Sequence, residues 1–122
     1  MILECYNLLK KIEKRPAIWT GETTLKSIFI YVNGYYQSLL DNKIAQNNET
    51  EEPFFDWVAK ELGYYESTAG WVNMILAYVI GYETKNINWE NFLANQITNE
   101  QHIKSISCFY ELIEKFKMEI EK

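Results

Sequence analysis

Apolar residues recur at three- and four-residue steps along most of the chain, and no alternating apolar/polar run long enough for a strand interrupts them. That period is the signature of amphipathic helices. Ile2, Cys5, Leu9 and Ile12 fall on one helical face of residues 2–14, with Lys10, Lys11 and Glu13 off it. Pro16 stops this helix, because a proline pushes the residue before it out of the helical region. Thr23 or Thr24 suits an N-cap, its hydroxyl able to accept an orphan backbone N–H. Leu25, Ile28, Phe29, Val32, Tyr35 or Tyr36, Leu39 and Leu40 then predict a long amphipathic helix. Gly34 inside it costs about 1 kcal/mol against alanine, and close approach of another helix is the expected reason for its presence.

Asn47 to Pro53, NNETEEP, is acidic and has no apolar anchor, so it reads as a loop, with Pro53 suited to the first turn of the next helix. That helix, PFFDWVAKEL, is expected to bury Phe54 or Phe55 with Val58 and Leu62, and Gly63 stands where a C-terminal glycine cap belongs. Ser67 or Thr68 caps the following segment, AGWVNMILAYVIGY, whose nearly continuous apolar character marks it as a central helix covered on most sides. GYYESTAGW, Gly63 to Trp71, is therefore a helix–helix joint. A short helix is expected around Asn88 to Asn95 with Trp89, Phe92 and Leu93 inward. A final helix spans Ile103 to Ile120 and carries Ile103, Ile106, Phe109 or Tyr110, Ile113, Phe116 and Ile120 on its face, with Glu111 and Lys115 as a supporting pair. The pattern predicts an all-α fold: a single domain over 1–122, with five or six helices around a central helix at about 69–81.

Composition adds constraints on partners. The 122 residues carry a formal charge of −5, which argues against direct binding of nucleic acid and favours a basic protein partner. Lys10, Lys11, Lys14 and Arg15 collect at a helix C-terminus, where cations complement the helix dipole. Aromatic residues make up 16% of the chain, and tyrosine and tryptophan serve cores and interfaces alike. Cys5 and Cys108 show no metal-like spacing and read as reduced thiols. Glu4 interrupts the N-terminal apolar stretch that a signal peptide needs, and Trp71 to Ile80 is too short for a bilayer and contains Asn73. A cytoplasmic protein without membrane contact is expected.

Catalytic chemistry finds little support in the motifs. His102 is the only histidine, and neighbouring Glu100 and Gln101 give it no recognised ligand spacing, so it reads as a surface histidine near a helix start. Neither a phosphate-binding GxxxxGK[ST] loop nor a GxSxG elbow occurs. No metal, cofactor or catalytic residue is expected. The seventeen carboxylates read first as a solvated surface and second as an acidic face for a cationic protein. Two consecutive tyrosines in a joint cannot easily both point inward. One of Tyr64 and Tyr65 is therefore a candidate interface anchor, while Trp71 belongs to the core.

RPAIWTG followed by GYY, then FFDWVAKELGYYESTAGWVNMIL and finally CFYELIEKF resemble a group of small bacterial proteins found as immunity proteins beside polymorphic or contact-dependent growth-inhibition toxins. The resemblance runs from about Lys11 to Phe116 and is most specific over Trp57 to Trp71. The chain departs from the group's pattern at RPAIWTG, where members often read Arg-Pro-Gly-Met-Tyr-Leu-Gly, and at Phe55, where histidine is frequent. The resemblance implies a cytoplasmic binder that neutralises a cognate, basic, nuclease-like toxin domain by stoichiometric occlusion. The expected contacts are Asp56, Glu61, Tyr64, Tyr65 and Glu66, with Glu49, Glu51 and Glu52 next. A small regulatory or adaptor module, monomeric or paired through its aromatic surface, is the alternative. An enzyme using tyrosine and glutamate side chains in a pocket is a third.

Overall fold

Pro16 ends one helix and begins another. Its missing N–H and fixed φ suit the first position of a helix, and α2 (Pro16–Thr20) starts there, directly after α1 (Tyr6–Lys14). Gly21, with φ at 85°, closes α2 in the left-handed region that glycine adopts without strain. The computed structural model describes residues 1–46, 53–66 and 69–121. Among these the chain is all-α, with no strand. The remaining helices are α3 (Leu25–Asp41), α4 (Phe54–Leu62), α5 (Gly70–Ile80), α6 (Trp89–Ala94) and α7 (Asn99–Ile120). Seven helices replace the predicted five or six because α2, only one turn and a half long, is too short for periodicity to reveal.

The chain divides into two compact units, Met1–Glu52 and Pro53–Lys122. In the first, α1, α2 and α3 pack on one another. The predicted stripe is the core although α1 starts later than residue 2: Ile2 and Cys5, in the turn before it, and Leu9 and Ile12 on it are all buried, as are Leu25, Ile28, Val32 and Tyr36 of α3. Of the tyrosine pair, Tyr36 is inside and Tyr35 exposed. Thr24 caps α3, its hydroxyl accepting the Ser27 N–H at 3.1 Å. The turn between α2 and α3 is held by the Thr20 hydroxyl, which lies 2.8 Å from the Glu22 carbonyl, 3.1 Å from the Pro16 carbonyl and 3.0 Å from the Ser27 hydroxyl. The RPAIWTG motif is thus helix α2 with its two caps, tied to the start of α3 through Thr20. The expectation for Gly34 fails: a Cβ there would meet nothing within 4 Å among the described residues, so no helix approaches it.

In the second unit α5 is the centre. It packs on α4 and α7, while Leu76 and Ala77 turn toward a separate cluster with Phe92, Tyr82, Ile87, Trp89 and Ile97. Trp71, Met74, Ile75, Leu76 and Ala77 are buried, as a helix with little polar character requires. Gly63 ends α4 with φ at 86°, a conformation that disfavours any residue with a Cβ. The Tyr64 N–H then returns to the Ala59 carbonyl at 2.8 Å. The proposed caps Ser67 and Thr68 and the acidic loop 47–52 lie outside the described residues.

Three expectations are corrected here. Leu93 is 67% exposed, because the six-residue α6 turns only one face to α5 and Phe92 occupies it. Ile103 is 57% exposed: α7 begins at Asn99, and Ile103 falls at the edge of a stripe formed by Ile106, Phe109, Tyr110, Leu112, Ile113 and Phe116. Lys115 engages Glu61 of α4, where the sequence suggested Glu111. The start of α7 is a capping box: the Thr98 hydroxyl accepts the Gln101 N–H at 3.2 Å while the Gln101 side chain accepts the Thr98 N–H at 2.9 Å.

Candidate functional site

The joint after α4 separates its two tyrosines completely. Tyr64 is 8% exposed and stacks on Trp89 with ring centroids 6.0 Å apart. Its hydroxyl donates to the Met74 carbonyl of α5 at 2.6 Å. Burial pushes its phenol well above the usual tyrosine range, so the ring stays neutral. Tyr65, one residue on, is 80% exposed, and Glu66 beside it is exposed too. The cause is local. Gly63 turns the chain so that Tyr64 enters the space between the joint, α5 and α6, and the next side chain must then leave it.

The carboxylates expected to share this surface are held differently. Asp56 lies in the first turn of α4, where a negative charge complements the helix dipole, and is half-buried. Glu61 follows five residues later, about 140° around the helix axis, so the two do not share a face. Glu61 pairs with Lys115 of α7, and this hydrogen bond, with the charges of Glu61 and Glu119, raises the Lys115 pKa. Glu119 in turn accepts the Trp57 indole N–H at 2.5 Å. Both acidic groups therefore serve the α4–α7 seam, above a ring cluster centred on Phe54. That ring lies 5.2 Å from Phe116, 5.6 Å from Trp71 and 6.0 Å from both Trp57 and Phe109.

Of the candidate contacts, then, Tyr65 and Glu66 project freely from the joint, Asp56 is half-covered, and Glu61 and Tyr64 are engaged within the unit. Glu49, Glu51 and Glu52 lie outside the described residues. Exposed apolar residues not singled out as contacts occur in both units: Ile18, Trp19, Ile30, Tyr31 and Tyr35 on α2 and α3 of the first, and Phe55, Tyr78 and Met118 among those of the second. Ile30 and Tyr31 stand out of phase with Leu25, Ile28, Val32 and Tyr36, and that phase difference is the signal that finds them, whereas Tyr35 falls at the edge of the stripe.

His102 sits in the first turn of α7 as expected, but its ring is half-buried and its Nδ1 lacks a hydrogen-bond partner among the described residues. Cys5 and Cys108 are free thiols, Cys5 buried and Cys108 half-buried. Burial raises both pKa values, that of Cys5 to about 11. Among the described residues no group of three or more His, Cys, Asp or Glu side chains is placed to hold a metal ion, and no helix is long and apolar enough to cross a membrane. No protein-family model, no curated protein and no solved structure matches the chain.

Proposed function

We propose that the chain is an immunity-type inhibitor that binds a basic bacterial toxin domain in the cytoplasm and neutralises it by covering the surface that engages a polyanionic substrate. The reading is supported by the resemblance of the 57–71 segment to such inhibitors and by the acidic balance of the chain. The observation that carries it is Tyr65, a large ring 80% exposed on a joint anchored by its buried neighbour Tyr64, with the Glu66 carboxylate beside it. A tyrosine side chain gives up little conformational freedom on binding, and interface hot spots are enriched in this residue. An adjacent carboxylate adds attraction toward a cationic partner and speeds encounter. Such a protein needs no catalytic group, since inhibition is stoichiometric.

The test is co-expression with the toxin domain encoded beside the gene, reading growth rescue and binding by calorimetry. The Tyr65→Ala variant is expected to weaken the complex by roughly 30-fold, and Glu66→Lys to slow association more at low salt than at high salt. No complex at micromolar concentration together with no rescue would remove the reading. A tight complex indifferent to both substitutions would move the interface elsewhere.

A further inference from the structure

The outward face of α3 is mixed, with Ile30 and Gly34 set among the exposed polar residues Lys26, Gln37, Ser38 and Asp41. Ile30 is 59% exposed, Tyr31 and Tyr35 are exposed, and Gly34 between them leaves bare backbone with open space above it. Lys26 and Asp41, both exposed, stand toward the two ends of the same helix, and neither has an ion-pair partner among the described residues. Residues advance about 1.5 Å along a helix and turn about 100° each. Relative to Gly34, Lys26 therefore lies about 12 Å toward the N-terminus and Asp41 about 10.5 Å toward the C-terminus, on the same side of the exposed face. Tyr31 and Tyr35 lie on its other side.

We infer that this face pairs two copies of the chain, with two α3 helices antiparallel across a two-fold axis at Gly34. In that arrangement Lys26 of each copy meets Asp41 of the other, at both ends and at matching heights. The tyrosines of the two copies gather along the opposite rim, and Ile30 packs on the Gln37 stem of the other copy, with the small Ser38 beside it. Gly34 faces Gly34, which lets the backbones approach closely and supplies the role its exposed position otherwise lacks. The charge pattern selects this occupant: a helix with a cation at one end and an anion at the other is complementary to its own reversed copy, and isologous dimers require such self-complementarity. This surface belongs to the first unit and does not rest on the toxin-binding reading of the joint.

The decisive experiment uses charge-reversed full-length chains in sedimentation velocity over about 1 to 100 µM, a range that spans modest dimer affinities. The unaltered chain should move from monomer to dimer across the series. Lys26→Glu alone places Glu against Asp41 of the other copy, and Asp41→Lys alone places Lys against Lys26. Each is expected to weaken dimerisation at least tenfold, because like charges brought together oppose association. An equimolar mixture of the two variants should restore the dimer, since every cross-pair is then opposite in sign. Both positions are exposed, and circular dichroism checks that the variants fold. A monomer at every concentration overturns the inference. So does a dimer indifferent to both substitutions, or a pair of weakened variants that fail to complement.

Discussion

The two units bury different chemistry. Around α1 and α3 the core is mainly aliphatic: Ile2, Leu9, Ile12, Leu25, Ile28 and Val32, with Tyr36 at its margin. Around α5 it is built largely from rings. Trp71 stacks on Phe109 with centroids 4.7 Å apart and planes 6° from parallel, and Phe54 meets four rings edge-on or stacked. A second ring group links Tyr64, Trp89, Phe92 and Tyr82. Aliphatic side chains fill the stripe of their own helix, and losing one leaves a hole that neighbours partly close. A ring that touches rings on several helices contributes area and orientation to all of them, so its loss is less easily absorbed.

The sharpest way to break that contrast is a pair of truncations. Phe109→Ala is expected to cost about 3–5 kcal/mol and Leu9→Ala about 2–5 kcal/mol, both side chains being fully buried, with Phe109 toward the upper end because it touches several rings. Urea unfolding followed by circular dichroism measures both. A larger loss for Leu9→Ala would show that ring packing confers no advantage here.

Next in size is a polar anchor in the ring-built unit. Tyr64→Phe removes the donor to the Met74 carbonyl and is expected to cost about 1 kcal/mol, the net worth of one hydrogen bond, since that carbonyl lies inside α5 and keeps its helical partner. The same residue gives a pH signature that the aliphatic unit shares through Cys5. Both groups are neutral when protonated, and burial raises both pKa values above their unfolded values of 10.0 for Tyr64 and 9.0 for Cys5. The folded state therefore holds its protons more tightly. This contribution to stability is complete below about pH 9 and falls as the pH rises, Cys5 titrating through about 11 and Tyr64 later. Unfolding at pH 8 and pH 10.5 should show a loss that Cys5→Ala reduces.

Periodicity exposed the aliphatic unit almost completely, since a stripe is a property of one helix read alone. Local chemistry also marked Thr23 or Thr24 as a cap, Gly63 as a stop, and the split between Tyr64 and Tyr65. Ring partners were not legible: nothing in the spacing of Phe54, Trp71 and Phe109 says which faces meet. The fate of Glu61 was hidden for the same reason, because Lys115 and Glu119 lie more than fifty residues away in sequence. Some signals were present and unread. Thr98 and Gln101 form the T-x-x-Q pattern of a capping box, and Ile30 with Tyr31 breaks the α3 stripe.

Caps give a smaller and more even comparison. Thr24→Ala in the first unit and Thr98→Ala in the second should each cost about 1 kcal/mol. Thr98 should cost the more, because its capping box satisfies two backbone donors reciprocally. Equal losses in thermal unfolding would mean that the Ser27 side chain, whose hydroxyl already donates to the Thr24 carbonyl at 2.8 Å, strengthens the α3 start by as much.

The smallest effect changes sign between the units. Gly34 lies mid-helix with ordinary helical φ, and an added Cβ meets open space. Gly34→Ala should therefore stabilise the monomer by about 0.5–1 kcal/mol, by restricting the unfolded chain and improving helix propensity. Gly63 has φ at +86° and Thr84 Oγ1 at 3.5 Å from where a Cβ would stand. Gly63→Ala should destabilise by about 1 kcal/mol, since alanine disfavours the left-handed conformation that ends α4. The measurement is thermal unfolding at low micromolar concentration, below the range in which the α3 face is proposed to pair. Repeating it at high concentration separates the two roles of Gly34: a methyl group that strengthens the lone helix but sits between two closely packed copies should gain less there. A gain that holds at every concentration would leave the α3 face without a glycine-mediated contact.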